Sequence, residues 1–282
     1  MAKATTQFVC QECGARHTKW AGRCNSCGAW NSLVEELPIS RDVALSSVKG
    51  TLLTPTRVGK VAKSQKATRL KTDVSDVDAV LGGGFVSGSV NLIAGQPGIG
   101  KSTLLMQLAA QLSAKQAVLY VSGEESLEQV SMRSERITPK NQRVLLASST
   151  SSDNIAETIL SGQYQVVIVD SIQTVSCQSV SSAPGTVSQI TNSTYLLTQA
   201  AKATNTTLII VGHVTKEGSI AGPKLLEHLV DVVMNLEGDR YGGFKVLRAI
   251  KNRYGSTAEV GIFDMKETGL EPVDNPSAVL LA

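Results

Sequence analysis

Nowhere in its 282 residues does this chain carry the ~18 to 20 consecutive apolar residues that cross a bilayer, and it opens without a charged-then-apolar leader. The expectation is a soluble, cytoplasmic protein with no membrane partner. Cysteine is nearly absent beyond residue 27, where Cys177 stands alone. In a chain without a secretion signal, four cysteines crowded near one end argue for a metal site and against a disulfide framework. Acidic residues are missing from 43–72, and residues 1–72 carry twelve Lys/Arg against four Asp/Glu, whereas the remainder carries fifteen against twenty. A basic arm on an acidic core suggests an anionic polymer as partner, although a merely solvated linker has the same composition. Tryptophan is limited to Trp20 and Trp30.

What is present includes a hydrophobic fraction of 42%, enough for a full α/β core with room for a small second module. The run Gly95-Gln96-Pro97-Gly98-Ile99-Gly100-Lys101-Ser102, followed by Thr103, fits G-x-x-x-x-G-K-[ST]. It follows an apolar run at 90–94 and opens a helical pattern at 104–112, the strand, loop and helix context of a phosphate-binding P-loop. Its glycines let successive N–H groups face one anion, and the helix N-terminus adds its positive end. Lys101 is expected to reach the β- and γ-phosphates of a nucleoside triphosphate, and Ser102 to ligand Mg²⁺.

Further apolar runs at 118–121, 166–169, 208–211, 230–236, 245–250 and 260–263 alternate with amphipathic stretches and end in paired strands. That pattern predicts an α/β fold with a largely parallel sheet and antiparallel additions. Three of the strands end in polar residues. Asp170 closes one in the manner of a Walker B acid and is the second Mg²⁺ ligand candidate. Glu124, after the strand that follows the P-loop helix, is the candidate general base; a helix-start neighbour is the alternative for it or Glu125. His213 is a candidate phosphate sensor, against the commoner structural histidine. Lys251 and Arg253 end another strand two apart, where two cations serve a neighbouring subunit's γ-phosphate, a nucleic-acid phosphate, or only a solvated turn. The stretches 176–186 and 215–222 read as mobile loops.

At the N-terminus, Cys10-x-x-Cys13-Gly14 and Cys24-x-x-Cys27-Gly28 form two knuckles that complete a tetrahedral thiolate shell. Zinc is the default ion, iron in a rubredoxin-like site the alternative, and a closed shell is structural. His17 offers a competing donor that four cysteines do not need and reads as a surface residue. Trp20 and Trp30 read first as covers over the metal and second as base-stacking rings. These features divide the chain into a zinc ribbon at 1–37, a basic flexible linker at 38–68, and an ATPase core at 69–282.

Taken together, the Cys₄ ribbon with Lys19-Trp20, Leu81-Gly-Gly-Gly84, the P-loop, Tyr120-Val-Ser-Gly-Glu-Glu125, Asp170-Ser-Ile-Gln-Thr174, Ala183-Pro-Gly-Thr-Val-Ser-Gln189, Gly212-His-Val-Thr-Lys-Glu-Gly218 and Lys251-Asn-Arg-Tyr-Gly255 resemble the bacterial RadA/Sms DNA repair family. These are RecA-like ATPases related to DnaB-type helicases. The resemblance implies a homo-hexameric ring that binds single-stranded and branched DNA, hydrolyses ATP with Mg²⁺, drives branch migration, and works with a recombinase of the RecA type. It implies Glu124 as water activator, His213 as phosphate sensor, Lys251 and Arg253 as residues acting across the subunit interface or on DNA, and both loops as DNA-facing. Tyr254 replaces the family's Phe and Asn25 its Pro. Family members continue into a Lon-protease-like domain beyond the point where this sequence stops, so that domain is expected to be lacking. Two rivals stand beside this reading: a KaiC-like regulatory ATPase that gates a protein partner, and a non-hydrolysing ATP-binding adaptor.

Overall fold

The computed structural model describes residues 7–10, 15–30, 32–36, 54–56, 68–137, 143–213, 225–238 and 243–273. The chain divides into two compact units, 1–61 and 62–282. Of the expected linker, only 54–56 and 68 fall among the described residues, and the expected loop at 215–222 lies outside them.

In the first unit, β1 (Gln7–Cys10) is flanked by β2 (Arg16–His17) and β3 (Leu33–Glu36), both antiparallel to it. Among its described residues the apolar core is small: Cys10, Cys24 and Leu33 are buried, with Phe8, Ala15 and Ala21 against them. So little apolar burial does not hold a fold by itself, and metal ligation is the usual supplement.

The second unit opens with a short ladder of β4 (Arg69–Leu70) and β5 (Phe85–Val86), with α1 (Ser75–Leu81) between them. Val77, Val80 and Leu81, three and four apart, give α1 its buried face, and Gly82 at φ 74° ends it in a left-handed cap. Then follow β6 (Val90–Gly95), α2 (Lys101–Leu112), β7 (Val118–Ser122), α3 (Leu127–Ile137), β8 (Leu145–Ser148), α4 (Ser152–Leu160) and β9 (Val166–Asp170). After these come α5 (Val187–Thr204), β10 (Thr207–His213), α6 (Leu225–Leu229), β11 (Val232–Gly238), β12 (Lys245–Asn252), β13 (Val260–Lys266) and β14 (Gly269–Pro272).

Nine of the strands form one sheet in the order β14-β13-β12-β11-β6-β10-β9-β7-β8. From β11 to β8 neighbours run parallel, and from β11 to β14 they run antiparallel. This is the expected α/β arrangement with its antiparallel extension. The strands feed two cores by simple alternation: Val166 and Ile168 of β9 face one, Val167 and Val169 the other. Helices α1 to α3 close the first face and α4 to α6 the second. Burial on both faces is why the central strands read as unbroken apolar runs.

Candidate nucleotide cleft and metal centre

Because β6, β7, β9 and β10 are parallel, their C-terminal ends arrive at one rim of the sheet. Register sets His213 opposite Gly95 and Ser122 opposite Asp170. Such a rim is where open α/β sheets bind ligands. Here a cleft of about 320 Å³ is lined by Pro97, Gly98, Gly100, Lys101, Ser102 and Thr103, and across from them by Glu124, Asp170 and His213.

Close approach dictates Gly95 and backbone conformation Gly100. A Cβ on Gly95 would lie 2.5 Å from the Leu236 carbonyl oxygen, and one on Gly100, whose φ is 111°, 2.5 Å from Met265 Cε. Backbone leaves no room for a side chain at Gly95, and at Gly100 the positive φ favours glycine even though the Met265 side chain could move aside. Gln107 of α2 ties the β13–β14 hairpin down, accepting from Leu270 N at 2.9 Å and donating to Leu270 O at 3.2 Å. Ile99 tucks against the core, leaving Gln96, Pro97 and Gly98 exposed.

Lys101 is buried, and its ammonium donates to the carbonyls of Gly95 and Gln96, each at 2.9 Å, and to His213 Nδ1 at 3.1 Å. An ammonium cannot accept, so Nδ1 is the acceptor and the imidazole proton sits on Nε2. That Nε2 is 3.3 Å from Glu124 Oε1, to which the Ser171 hydroxyl also donates. Burial pushes the Glu124 carboxyl up, but the hydrogen bonds from Ser171 and His213 outweigh it and hold the group below its ordinary value. Burial lowers Lys101 in turn, opposed by the charges of Asp170 and Glu124. The cleft therefore holds a base in its ionised form beside a cation.

Asp170 is buried and accepts the Tyr120 hydroxyl at 2.5 Å. Burial, reinforced by Asp170, keeps that phenol far above its ordinary value, so it remains a donor. Arg133, from α3, binds the Glu125 carboxylate and lies 3.4 Å from the Tyr120 hydroxyl. Both glutamates and Arg133 line the cleft, but their partners differ: Glu124 is held by Ser171 and His213, and Glu125 by Arg133. Ser102 and Asp170 line the same cleft, and a hydroxyl with a carboxylate is the hard oxygen set that suits Mg²⁺. Sequence reasoning missed Tyr120, Ser171 and Arg133. The available signal was a tyrosine inside an apolar strand, since a buried phenol requires a partner.

Lys251 and Arg253 are not brought to this cleft. Lys251 Nζ donates to the carbonyls of Glu227 and Val230, at 2.5 and 2.8 Å, closing the end of α6. Arg253 pairs at 3.1 Å with Asp231, a buried carboxylate that also accepts from Lys202 at 2.5 Å and Val90 N at 2.9 Å. Val90 begins β6 and Gly95 ends it, so about 16 Å of strand separates this cluster from the P-loop of the same chain.

The segment 176–186, expected to be mobile, is organised around the buried amide of Gln189. That amide accepts from Cys177 N at 2.8 Å and donates to the carbonyls of Val180 and Ser182, each at 2.8 Å.

In the first unit, the sulfurs of Cys10, Cys24 and Cys27 lie within 4.8 Å of one another, and none is in a disulfide. Cys13 lies outside the described residues. Backbone N–H groups at Cys27 and Ser26 help hold the Cys24 thiol down to about 5. Convergent sulfurs, one of them readily ionised, fit a thiolate-bound ion such as zinc. One reading of this unit needs correcting. His17 is half-buried with Nε2 3.4 Å from Cys24 Sγ, because β2 pairs it opposite Phe8 and carries it in beside the knuckle. Trp20 and Trp30, read first as covers over the metal, are 59% and 73% exposed.

A family model described as AAA domain matches residues 55–219, and one described as rubredoxin metal binding domain matches residues 8–35. The chain is 48% identical over 286 residues to the DNA repair protein RadA of Bacillus subtilis (strain 168), an alignment covering 100% of this chain. To the protein of that name from Listeria monocytogenes serovar 1/2a it is 46% identical over 282 residues, covering 99% of this chain. It spans 62% of the length of each. Among solved structures, the RadB recombinase aligns over 73% of this chain and 100% of its own, with TM-score 0.57 and 21% identity. A KaiC-like protein from Pyrococcus horikoshii OT3 aligns over 73% and 99%, with TM-score 0.61 and 16% identity. The fold is the RecA-like α/β arrangement behind a zinc-ribbon module.

Proposed function

Because this chain belongs to the AAA domain family and is related along its length to the bacterial DNA repair proteins called RadA, we propose that it is a DNA-dependent ATPase driving branch migration of recombination intermediates. The observation that carries the reading is the meeting of Lys101, Glu124, Asp170 and His213 at one rim of the sheet, around the phosphate loop.

The residues divide the work by their chemistry. N–H groups of the P-loop and the start of α2 cradle the phosphates, and Lys101 exchanges its carbonyl partners for phosphate oxygens. Glu124 takes a proton from the attacking water as the water oxygen bonds to the γ-phosphorus and the bond to the β-phosphate oxygen breaks. Ser171 holds the same carboxylate in place, and His213, in contact with both Lys101 and Glu124, registers whether a γ-phosphate is present. Ser102, and Asp170 directly or through water, would hold Mg²⁺, with the Tyr120 hydroxyl orienting Asp170; an ion held there would supply positive charge against the phosphates. Lys251 and Arg253, remote from their own chain's cleft, act on a neighbouring subunit's nucleotide in a hexameric ring or on DNA. Cys10, Cys24 and Cys27, with Cys13 as fourth ligand, would hold structural zinc in a ribbon at 1–37, joined through 38–68 to the core at 69–282.

Displacement of a labelled strand from branched DNA tests this reading. Wild-type protein is expected to displace it with ATP, and the Glu124→Gln variant to bind ATP but leave the junction intact. Displacement at the wild-type rate by that variant would sink the proposal.

A further inference from the structure

The first unit places its largest apolar rings in water. Trp20 is 59% exposed and Trp30 73%, while smaller residues fill the core. No acidic residue occurs from 13 to 34, and Arg16, Lys19 and Arg23 fall within that stretch. The Arg23 guanidinium stands 5.7 Å from the centre of the Trp30 ring, and its Nε donates to Gly28 O at 2.9 Å. That hydrogen bond anchors the arginine to the second knuckle, and a cation fixed beside an aromatic face holds both in defined positions.

Exposed indole faces are costly in water and contribute nothing to this small core. With Arg23 beside Trp30 and Lys19 next to Trp20 in sequence, they match a strand that offers flat π-faces at intervals along an anionic backbone. We infer that Trp20 and Trp30 form a base-stacking platform on the ribbon for single-stranded nucleic acid, with Lys19 and Arg23 meeting its phosphates. Indole faces stack on any base, so the platform is tolerant of sequence, and its cations make binding salt-dependent. The inference rests on the DNA reading of the preceding subsection and adds to it where on the chain a strand is held.

Since Trp20 and Trp30 are the only tryptophans, selectively excited indole emission of the full chain reports on this platform alone. The experiment titrates the chain with a single-stranded thymidine oligonucleotide at low salt, following indole emission and, in parallel, the anisotropy of a labelled copy of the strand. Binding is expected to quench the emission. Trp20→Ala and Trp30→Ala are each expected to weaken affinity about fivefold or more, with Phe at either position restoring most of the loss. Unchanged zinc content in the Ala variants would show that the ribbon remains folded. Saturation by anisotropy with unaltered emission, or unchanged affinity in both Ala variants, would overturn the platform while leaving DNA binding by the core intact. The exposed rings would then belong to a protein partner. No anisotropy change at all would remove the DNA reading along with the platform.

Discussion

Glu124 is held by a serine hydroxyl, an imidazole N–H and a nearby ammonium, and those contacts decide its protonation state. A carboxyl held below its ordinary value loses its charge only as pH falls through that lowered value. The acid limb that Glu124 gives to turnover is therefore expected below the usual carboxylate range, with no limb from this group between pH 6 and 8. Glu124→Gln is expected to cut kcat by about 10²- to 10⁴-fold with ATP affinity retained, measured by single-turnover hydrolysis and nucleotide binding. Turnover within a few fold of wild type would remove Glu124 from the base role. Tyr120 makes the second residue-level prediction. Replacing it with Phe removes the hydroxyl that donates to Asp170 Oδ2 in a buried site, so Tyr120→Phe should lose about 1–3 kcal/mol of stability. It should also need more Mg²⁺ for half-maximal rate, a shift that a purely structural tyrosine would not produce.

At the scale of elements, the loop at 176–186 depends on one side chain of α5. Gln189→Ala leaves the peptide groups of Cys177, Val180 and Ser182 without this partner, a local loss of about 1–3 kcal/mol. Amide hydrogen exchange should quicken across 176–186 while β6 and β10 keep their protection; uniform exchange in the two regions would contradict this role. Composition made that segment look mobile because serines, a proline and a glycine carry no apolar pattern, and the organising amide lies in the next element. The central strands were legible for the opposite reason. Two buried faces make 166–169 and 208–211 unbroken apolar runs that no helix period explains. Strand β8 escaped notice because its Leu145 is 53% exposed at the sheet edge, and β14 because it is short and closes a hairpin. The P-loop, Asp170 and Glu124 could be found from motif and strand end alone. The distance of Lys251 and Arg253 from their own cleft could not, since it follows from the antiparallel return of β12 to the Val90 end of β6.

For the molecule as a whole, two units of different physical origin share one chain: an apolar α/β core buried on both sheet faces, and a ribbon whose apolar core, among the described residues, gathers around Cys10, Cys24 and Leu33. Metal ligation can supply about 10 kcal/mol or more to the ribbon's folding. Chelation should abolish amide protection in residues 7–36 while the melting of the core stays unchanged; a core that melts with the ribbon would contradict two independent units. Metal analysis should find zinc in the intact chain and none once Cys10 and Cys27 are both replaced. Iron in its place would overturn the zinc assignment. The charge division, basic before residue 72 and acidic after it, directs attention to an anionic polymer as the effector of the ATPase. The most direct measurement is steady-state ATP hydrolysis with and without single-stranded DNA at low salt, repeated with Lys251→Ala and Arg253→Ala. DNA is expected to accelerate hydrolysis, with the acceleration lost in both variants; a rate indifferent to DNA would contradict a DNA-dependent ATPase.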